Sequence, residues 1–475
     1  MRRTPNPGDS DGTSPSDTPG GDASYGVFDI PYVGGFQPFL APAWLDHVAL
    51  LTGIAPPDRE GGFSWCDLGC GPGVTATILA ATHPGGQFFG IDMSVEHIAQ
   101  ARRLAGDARV TNVEFQAADF ATASRPQARF DYILAHGVYS WVGAQTQAEL
   151  RGFIDRHLKP GGLVYVSYNA LPGWLGELPF QRLLRAFAQT LSGSSIERFS
   201  AAFAIIRDLA TAGVPVLKES RMLGEISEHS ERYPLAYLAH EYLGATWQPL
   251  WVSEVRQAMA SVGLSPVGSA TLRENYDSLV LGRQAREAID NIEDDDLREL
   301  TRDCFIKQSF RRDVFIREER HIADDERRAR LLASCFALSR PPDNVEYGMA
   351  TPAGRVSFDN AAARAIVASL ATGPAILAEI GDRSGVSAQD LLANTLVLAA
   401  SDAIRPVEAT QHSVAALNRA ICDRRGSADA IAHLALSCGT ALRVEADLLS
   451  ALGATGTLDP LQFPGWDDLL DAYCR

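Results

Sequence analysis

Residues 63–73 read Phe63-Ser64-Trp65-Cys66-Asp67-Leu68-Gly69-Cys70-Gly71-Pro72-Gly73, an apolar run that breaks into a glycine-rich turn. Glycines at such a turn admit backbone conformations closed to other residues and let a ligand approach the main chain. The next apolar run, Phe89-Gly90-Ile91-Asp92, ends in a carboxylate. An acid at that place, about twenty residues after the turn, can accept both hydroxyls of a ribose.

Outward from this pair, residues 63 to 168 alternate short apolar runs with amphipathic stretches, the pattern of βα units on a parallel sheet. The fold class is therefore α/β. Strands are expected at Phe63–Leu68, Gln87–Asp92, Val113–Ala117, Phe130–Ala135 and Leu163–Tyr168. Ser94 suits an N-cap for a helix ending near Leu104, with His97 where a capping box wants Glu. A second helix should run from about Gln147 to Leu158 and stop at Lys159-Pro160-Gly161-Gly162.

A dinucleotide site would fit much of this but wants Gly-x-Gly-x-x-Gly, which seats a pyrophosphate on the helix N-terminus. Here the spacing is Gly-x-Gly-x-Gly, and Asp67 stands two positions before the first glycine. That carboxylate would repel a pyrophosphate and attract an ammonium or sulfonium ligand. After the third strand, Asp119 in Ala118-Asp119-Phe120 can accept an adenine amino group, and Phe120 can pack on the ring. Leu158-Lys159-Pro160-Gly161-Gly162 then leads into the fifth strand.

In this order the elements resemble the motif series of class I S-adenosylmethionine-dependent methyltransferases. The resemblance implies a Rossmann-like, seven-stranded domain with S-adenosyl-L-methionine as cofactor. It places Asp67, Gly69, Cys70, Gly71, Asp92, Met93, Asp119, Phe120 and Ala135 around that donor.

Ligands of open α/β sheets lie beyond the carboxyl ends of the strands. Those of strands four and five carry His136-Gly137-Val138-Tyr139-Ser140-Trp141 and Tyr168-Asn169-Ala170-Leu171-Pro172-Gly173-Trp174. His136, Tyr139, Trp141, Tyr168 and Asn169 are thus the candidate catalytic and acceptor residues. Each has a second reading: His136 as the group that holds its loop, and Tyr139, Trp141 and Trp174 as core aromatics. Cys66 and Cys70 read as packing residues, and His240-Glu241 lacks the second histidine of a zinc site, so no metal is expected.

The same strings, with Phe28-Asp29-Ile30-Pro31-Tyr32, His240-Glu241-Tyr242-Leu243 and Phe310-Arg311-Arg312, resemble methyltransferases with a regulatory middle domain. That family includes bacterial lysine methyltransferases of outer-membrane proteins. By the resemblance Tyr32 closes over the donor, although Gly34-Gly35 follows it where a small polar residue is more usual. The resemblance implies N-methylation of a lysine in a protein or peptide. N- or O-methylation of a small natural product, or donor binding without catalysis, remain the alternatives.

The rest of the chain sets the frame. Residues 1–24 have almost nothing to bury and are expected to be a disordered tail, with the donor-binding core at 25–175. A helical insertion should fill 176–282 and end in the last two strands of the sheet, near Ser265–Gly268 and Asp277–Leu281. Residues 283–350 are charge-rich and expected to be a helical connection. From 351 to 475, three helical patterns and the segment Ala403–Val407 suit a C-terminal, mainly helical winged-helix-like domain. No basic recognition helix is visible there, so packing or homodimer formation is the expected role.

A formal net charge of -16 opposes non-specific binding to nucleic acid or to an anionic membrane. Seven scattered cysteines argue against a disulfide framework and for a reducing cytoplasm. Neither a signal peptide nor a run of about 18 apolar residues is present, so a cytoplasmic enzyme without a membrane span is expected.

Overall fold

A computed structural model describes residues 34–123, 129–229, 232–427 and 429–455, with Trp466, Leu469 and Leu470. The expected tail and Tyr32 lie outside the described residues.

The first elements are α1 (Pro42–Leu51), β1 (Phe63–Leu68), α2 (Val74–Thr82), β2 (Gly86–Asp92), α3 (Val95–Asp107) and β3 (Val113–Ala117). They continue with β4 (Phe130–Ala135), α4 (Ala144–His157) and β5 (Leu158–Asn169). β1, β3 and β4 have the bounds read from the sequence. The oxygen of Ser94 accepts from the backbone of His97, so the expected cap of α3 forms. The Lys159–Gly162 turn is the exception: it lies inside β5 as an irregularity, between the pairings Leu158 with Phe130 and Leu163 with Tyr132.

An insertion follows, built from α5 (Leu178–Gln189), α6 (Ser195–Thr211), α7 (Arg221–Glu228) and α8 (Leu235–Leu243). Phe180, Leu184, Phe199, Ile206, Leu238 and Tyr242 give it a core of its own. The chain returns through α9 (Val252–Ala260) and β6 (Leu264–Ser269), then α10 (Asp277–Val280), α11 (Arg283–Ile289), α12 (Asp295–Ile306) and β7 (Phe310–Arg317).

The sheet order is β3-β2-β1-β4-β5-β7-β6. The strands β1 to β5 pair in parallel, β7 runs antiparallel to β5, and β6 runs antiparallel to β7. This corrects the expected edge. Asp277–Leu281 is a short helix and its end, and the partner of β6 is Phe310–Arg317, from the stretch read as helical.

The cause is a buried ion-pair network. β7 reads Phe310-Arg311-Arg312-Asp313-Val314-Phe315-Ile316-Arg317, whose charges suggest a solvated face. Yet Arg311 is buried and donates to Asp303 and Glu299, both at 2.6 Å, and to Asp313 at 3.0 Å. Charges compensated in this way can line a central strand.

The sheet buries both faces. Trp65, Tyr132, Tyr165, Val314 and Ile316 pack on the side of α1, while Cys66, Ile133, Val166, Tyr168 and Phe315 pack on the other.

Beyond the sheet come α13 (Asp324–Ala333), β8 (Cys335–Leu338), the hairpin β9 (Gly348–Thr351) and β10 (Gly354–Ser357), and α14 (Ala361–Leu370). Next are β11 (Ala375–Ile376), α15 (Leu377–Ser384), α16 (Ala388–Ala400) and β12 (Ile404–Val407). Helix, strand, two helices and strand form the winged-helix order. Its third strand is β8, upstream of residue 351, so the strands order as β11-β8-β12.

The next described elements are α17 (Ala415–Asp423), β13 (His433–Leu436), β14 (Thr440–Arg443) and α18 (Ala446–Thr455). This C-terminal region shares one continuous apolar core with the α1 side of the sheet. Glu408 accepts from Arg59 at 2.6 Å and lies 3.2 Å from His83, which ties the two parts further. No helix of the described residues is long and apolar enough to cross a membrane.

Candidate active site

The turn after β1 holds Gly69, Gly71 and Gly73 at φ +85°, +53° and +69°. The three are not equivalent. A Cβ on Gly69 would lie 2.4 Å from Val138, and one on Gly73 would lie 2.6 Å from Ala101 and Phe115, so these two permit close packing. At Gly71 a Cβ would meet nothing within 4 Å, which leaves open space over the turn.

Asp92, at the end of β2, locks that turn. Its Oδ2 accepts from the Gly71 backbone at 2.9 Å, and its Oδ1 accepts from the Ser94 backbone at 2.9 Å. His97 Nδ1 lies 3.3 Å from the same Oδ1. Bonding to Asp92 raises the His97 pKa, against the opposing effect of burial. A carboxylate offers about four lone-pair sites. Acceptor capacity therefore remains for ligand hydroxyls.

Asp67 is buried at 4 % exposure, and its Oδ1 has no hydrogen-bond partner. Burial and then the charge of Asp92 push its carboxyl up to about 7. A cationic ligand beside it would relieve an otherwise costly buried acid. The orphaned oxygen, the open turn and the spare acceptor capacity of Asp92 together fit S-adenosylmethionine.

The remaining donor-side residues divide. Met93 is 42 % and Val95 73 % exposed, which leaves apolar surface at the end of β2. Asp119 is exposed, and its Oδ1 accepts from the backbone and hydroxyl of Thr122, both at 2.6 Å, which lowers its pKa. Phe120 is buried in the core beside Ile91 and Ala123, and Ala135 is buried at the end of β4. Cys70 is half-buried, its Sγ 3.6 Å from the Gly71 carbonyl, and burial raises its thiol pKa.

On the acceptor side His136 Nδ1 lies 2.9 Å from the Tyr165 hydroxyl and 3.2 Å from Ser167 Oγ. Its ring stacks on Tyr165 and meets the Phe310 ring edge-on. Burial, and secondarily the charge of Arg312, push its pKa down to about 3. Arg312 sits over the rings of Phe39 at 4.4 Å and Phe310 at 4.8 Å and donates to Thr271 at 3.0 Å.

Two other candidates are core residues. Tyr139 is 1 % exposed and accepts from Arg151 at 2.7 Å, and Tyr168 is fully buried and donates to Asp313 at 2.6 Å. Trp141 remains half-buried, and Asn169 is fixed at the end of β5, its backbone N–H donating to Ser140 Oγ at 3.1 Å. Sequence reasoning did not single out His97, which contacts Asp92, or Arg312, whose charge acts on His136. For His97 the signal was its place on the first turn after Asp92.

A sheet in the order 3-2-1-4-5-7-6 with one reversed strand, and a glycine turn locked to an acid after β2, define a class I S-adenosylmethionine-dependent methyltransferase. Residues 60–197 match the model of a methyltransferase domain, and residues 234–317 that of a predicted methyltransferase regulatory domain. The regulatory match runs from α8 through β7, so it includes the last two strands of the catalytic sheet.

An uncharacterised protein of Synechocystis sp. is 29% identical over 86% of this chain and 83% of its own length. PKMT2 of Rickettsia typhi, solved in complex with AdoHcy, has a TM-score of 0.69 at 19% identity, covering 93% of this chain and 91% of that one. A trans-aconitate 2-methyltransferase of Methylobacterium nodulans is 36% identical over 26% of this chain and 43% of its own.

Proposed function

We propose that this methyltransferase N-methylates lysine side chains of a protein or peptide. The observation that carries the reading is the state of His136. Its Nδ1 is engaged by the Tyr165 hydroxyl at 2.9 Å and by Ser167 Oγ at 3.2 Å, and burial lowers its pKa, an arrangement that suits holding the loop better than removing a hydroxyl proton. An amine acceptor needs no such base in the transfer step: once neutral, it attacks along the line of the bond that breaks. Positioning and exclusion of water then account for the rate. The fold is shared with PKMT2 of Rickettsia typhi, which was solved with AdoHcy, and this agrees with a methyl-transfer reading.

Asp92 would hold the donor's ribose and Asp67 would face its cationic end, with Gly71 giving room for close approach. Met93 and Asp119 would flank the adenine. Trp141 and Asn169 would line the acceptor side, while Tyr139, Tyr168 and Phe120 support the walls from within the core. Bound donor supplies the activated methyl group.

Arg312 favours a second reading, in which the acceptor is a small carboxylate attracted to its charge, as the trans-aconitate enzymes' name suggests for them. Isotopically labelled donor offered with a lysine peptide library and with a panel of small carboxylic acids separates the two. Label on lysine Nζ supports the first reading, and label only on carboxylates replaces it with the second.

A further inference from the structure

Arg312 differs from its neighbour on β7. Arg311 meets three acids. Among the described residues no carboxylate pairs with Arg312. Its Nη1 donates to Thr271 at 3.0 Å, but its Nε is buried and has no hydrogen-bond partner. The rings of Phe39 and Phe310 lie against the guanidinium, at 4.4 Å and 4.8 Å. Such contacts engage the face of the group and leave the N–H donors at its edge free to grip a carboxylate as a fork. An arginine held in this way without a counter-charge suits an incoming anion.

The donor's acid points to the same side. Asp67 pairs with Leu134, Leu134 with Tyr165, and Ser167 with Arg312. Paired residues share a face and every second residue returns to it, so Asp67, Tyr165 and Arg312 all lie on the face towards α1. Their outer strands, β1 and β7, are three spacings apart, about 14 Å. Burial raises the Tyr165 pKa, and the charges of Arg312 and Asp67 act on it in opposite senses, so one hydroxyl lies within electrostatic reach of both.

A short segment also serves both ends. Thr75, in the first turn of α2 just past the donor turn, accepts from the Gln37 backbone at 3.0 Å. Phe39, whose ring lies against Arg312, is two residues further on. Two residues span at most about 7 Å.

Asp67 and Arg312 are thus opposite charges on one face, each with a buried polar atom that lacks a partner. The methionine end of S-adenosylmethionine carries an ammonium and a carboxylate on one carbon, and Asp67 can serve only the first. We propose that Arg312 binds the carboxylate of the donor's methionine end while Asp67 takes its ammonium. The assignment concerns the donor, so it stands or falls independently of the lysine reading.

The test is calorimetry on the full chain with S-adenosylhomocysteine and with its decarboxylated analogue, in which hydrogen replaces the carboxylate. Wild type should bind the first about tenfold or more tightly, as for a charged hydrogen bond gained. Arg312→Gln should lose about tenfold or more for S-adenosylhomocysteine and almost nothing for the analogue, so that the preference disappears. Arg312→Lys, which keeps the charge without the fork, should fall between. Unchanged affinity of Arg312→Gln for S-adenosylhomocysteine overturns the assignment. So does an equal loss for both ligands, which a merely structural role would give. If thermal melts show Arg312→Gln unfolded, Arg312→Lys carries the test: a loss confined to S-adenosylhomocysteine supports the site, and wild-type affinity overturns it.

An acceptor could supply a carboxylate instead. Small carboxylic acids titrated into the protein loaded with S-adenosylhomocysteine should show no binding that depends on Arg312. Acids that bind wild type about tenfold more tightly than Arg312→Gln, with S-adenosylhomocysteine affinity unchanged, would give Arg312 to the acceptor and overturn the donor site.

Discussion

The Gly71 backbone N–H donates to Asp92 Oδ2 at 2.9 Å, so the acid after β2 and the turn after β1 form one unit. Asp92→Ala should therefore cut donor affinity by about 2 kcal/mol or more, the usual loss for a charged hydrogen-bonding group. Calorimetry with S-adenosylhomocysteine measures it. Unchanged affinity would move the ribose elsewhere.

The turn glycines should separate binding from folding. Gly71→Val faces open space and should keep the fold, apart from about 1–2 kcal/mol for its left-handed backbone, while donor binding is lost. Gly69→Ala collides with Val138 and should lower stability directly. Thermal melts with and without S-adenosylhomocysteine read both effects. A ligand-induced rise in Tm for Gly71→Val equal to that of wild type would mean that the open space is not the donor's.

Tyr168 should matter for stability and not for chemistry. Tyr168→Phe leaves a buried lone pair of Asp313 unmet and should cost about 1–3 kcal/mol in urea unfolding. Arg311→Met strands three acids, Glu299, Asp303 and Asp313, and should cost about 3–5 kcal/mol. Donor affinity of the folded Tyr168→Phe protein should equal that of wild type. A tenfold loss of turnover at wild-type stability would return Tyr168 to the acceptor site.

His47 offers a pH test with a fixed sign. Both its ring nitrogens are buried without partners, and burial pushes its pKa from 6.5 to about 4. Its contribution to stability is complete above pH 6.5 and is lost as pH falls towards 4. Asp46 and Asp67, raised to about 6 and about 7, act oppositely: their contribution is complete below 3.8 and is lost as pH rises through those values. Comparing His47→Phe with wild type isolates the histidine. The variant's relative stability should rise by about 2 kcal/mol between pH 7.5 and pH 5. An equal difference at both values would show that His47 is solvated.

Legibility in the sequence follows how local each signal is. β1 to β5 announce themselves because short apolar or alternating segments, such as Val113-Glu114-Phe115-Gln116-Ala117 in β3, recur between turns and amphipathic helices. β7 is hidden because Arg311 and Asp313 look like surface charges until their partners on α12 are known, and no local pattern names those partners. Leu279-Val280-Leu281 misleads for the converse reason: a short apolar run suits a strand or a buried helix turn equally. The candidate donor residues Asp67, Gly71 and Asp92 could be picked out because spacing within one βαβ unit singles them out, and the structure brings Gly71 and Asp92 into contact. The burial of Tyr139 and Tyr168 could not be read, because whether a side chain faces a cleft or a core depends on elements far along the chain.

The backbone N–H of Phe36 reaches Nδ1 of His433 at 3.5 Å, and the two residues are 397 positions apart. Between them Gln37 donates to Thr75 on α2, directly behind the donor turn. A ribosome adds about 5–20 residues per second, so this stretch takes roughly 20 to 80 seconds to synthesise. Through that interval the segment at Phe36 has no His433 to hold it, although the glycine turn after β1 and Asp92 have been translated. A chain interrupted before His433 thus carries the glycine turn and Asp92 without the hydrogen bond that fastens the segment in front of them.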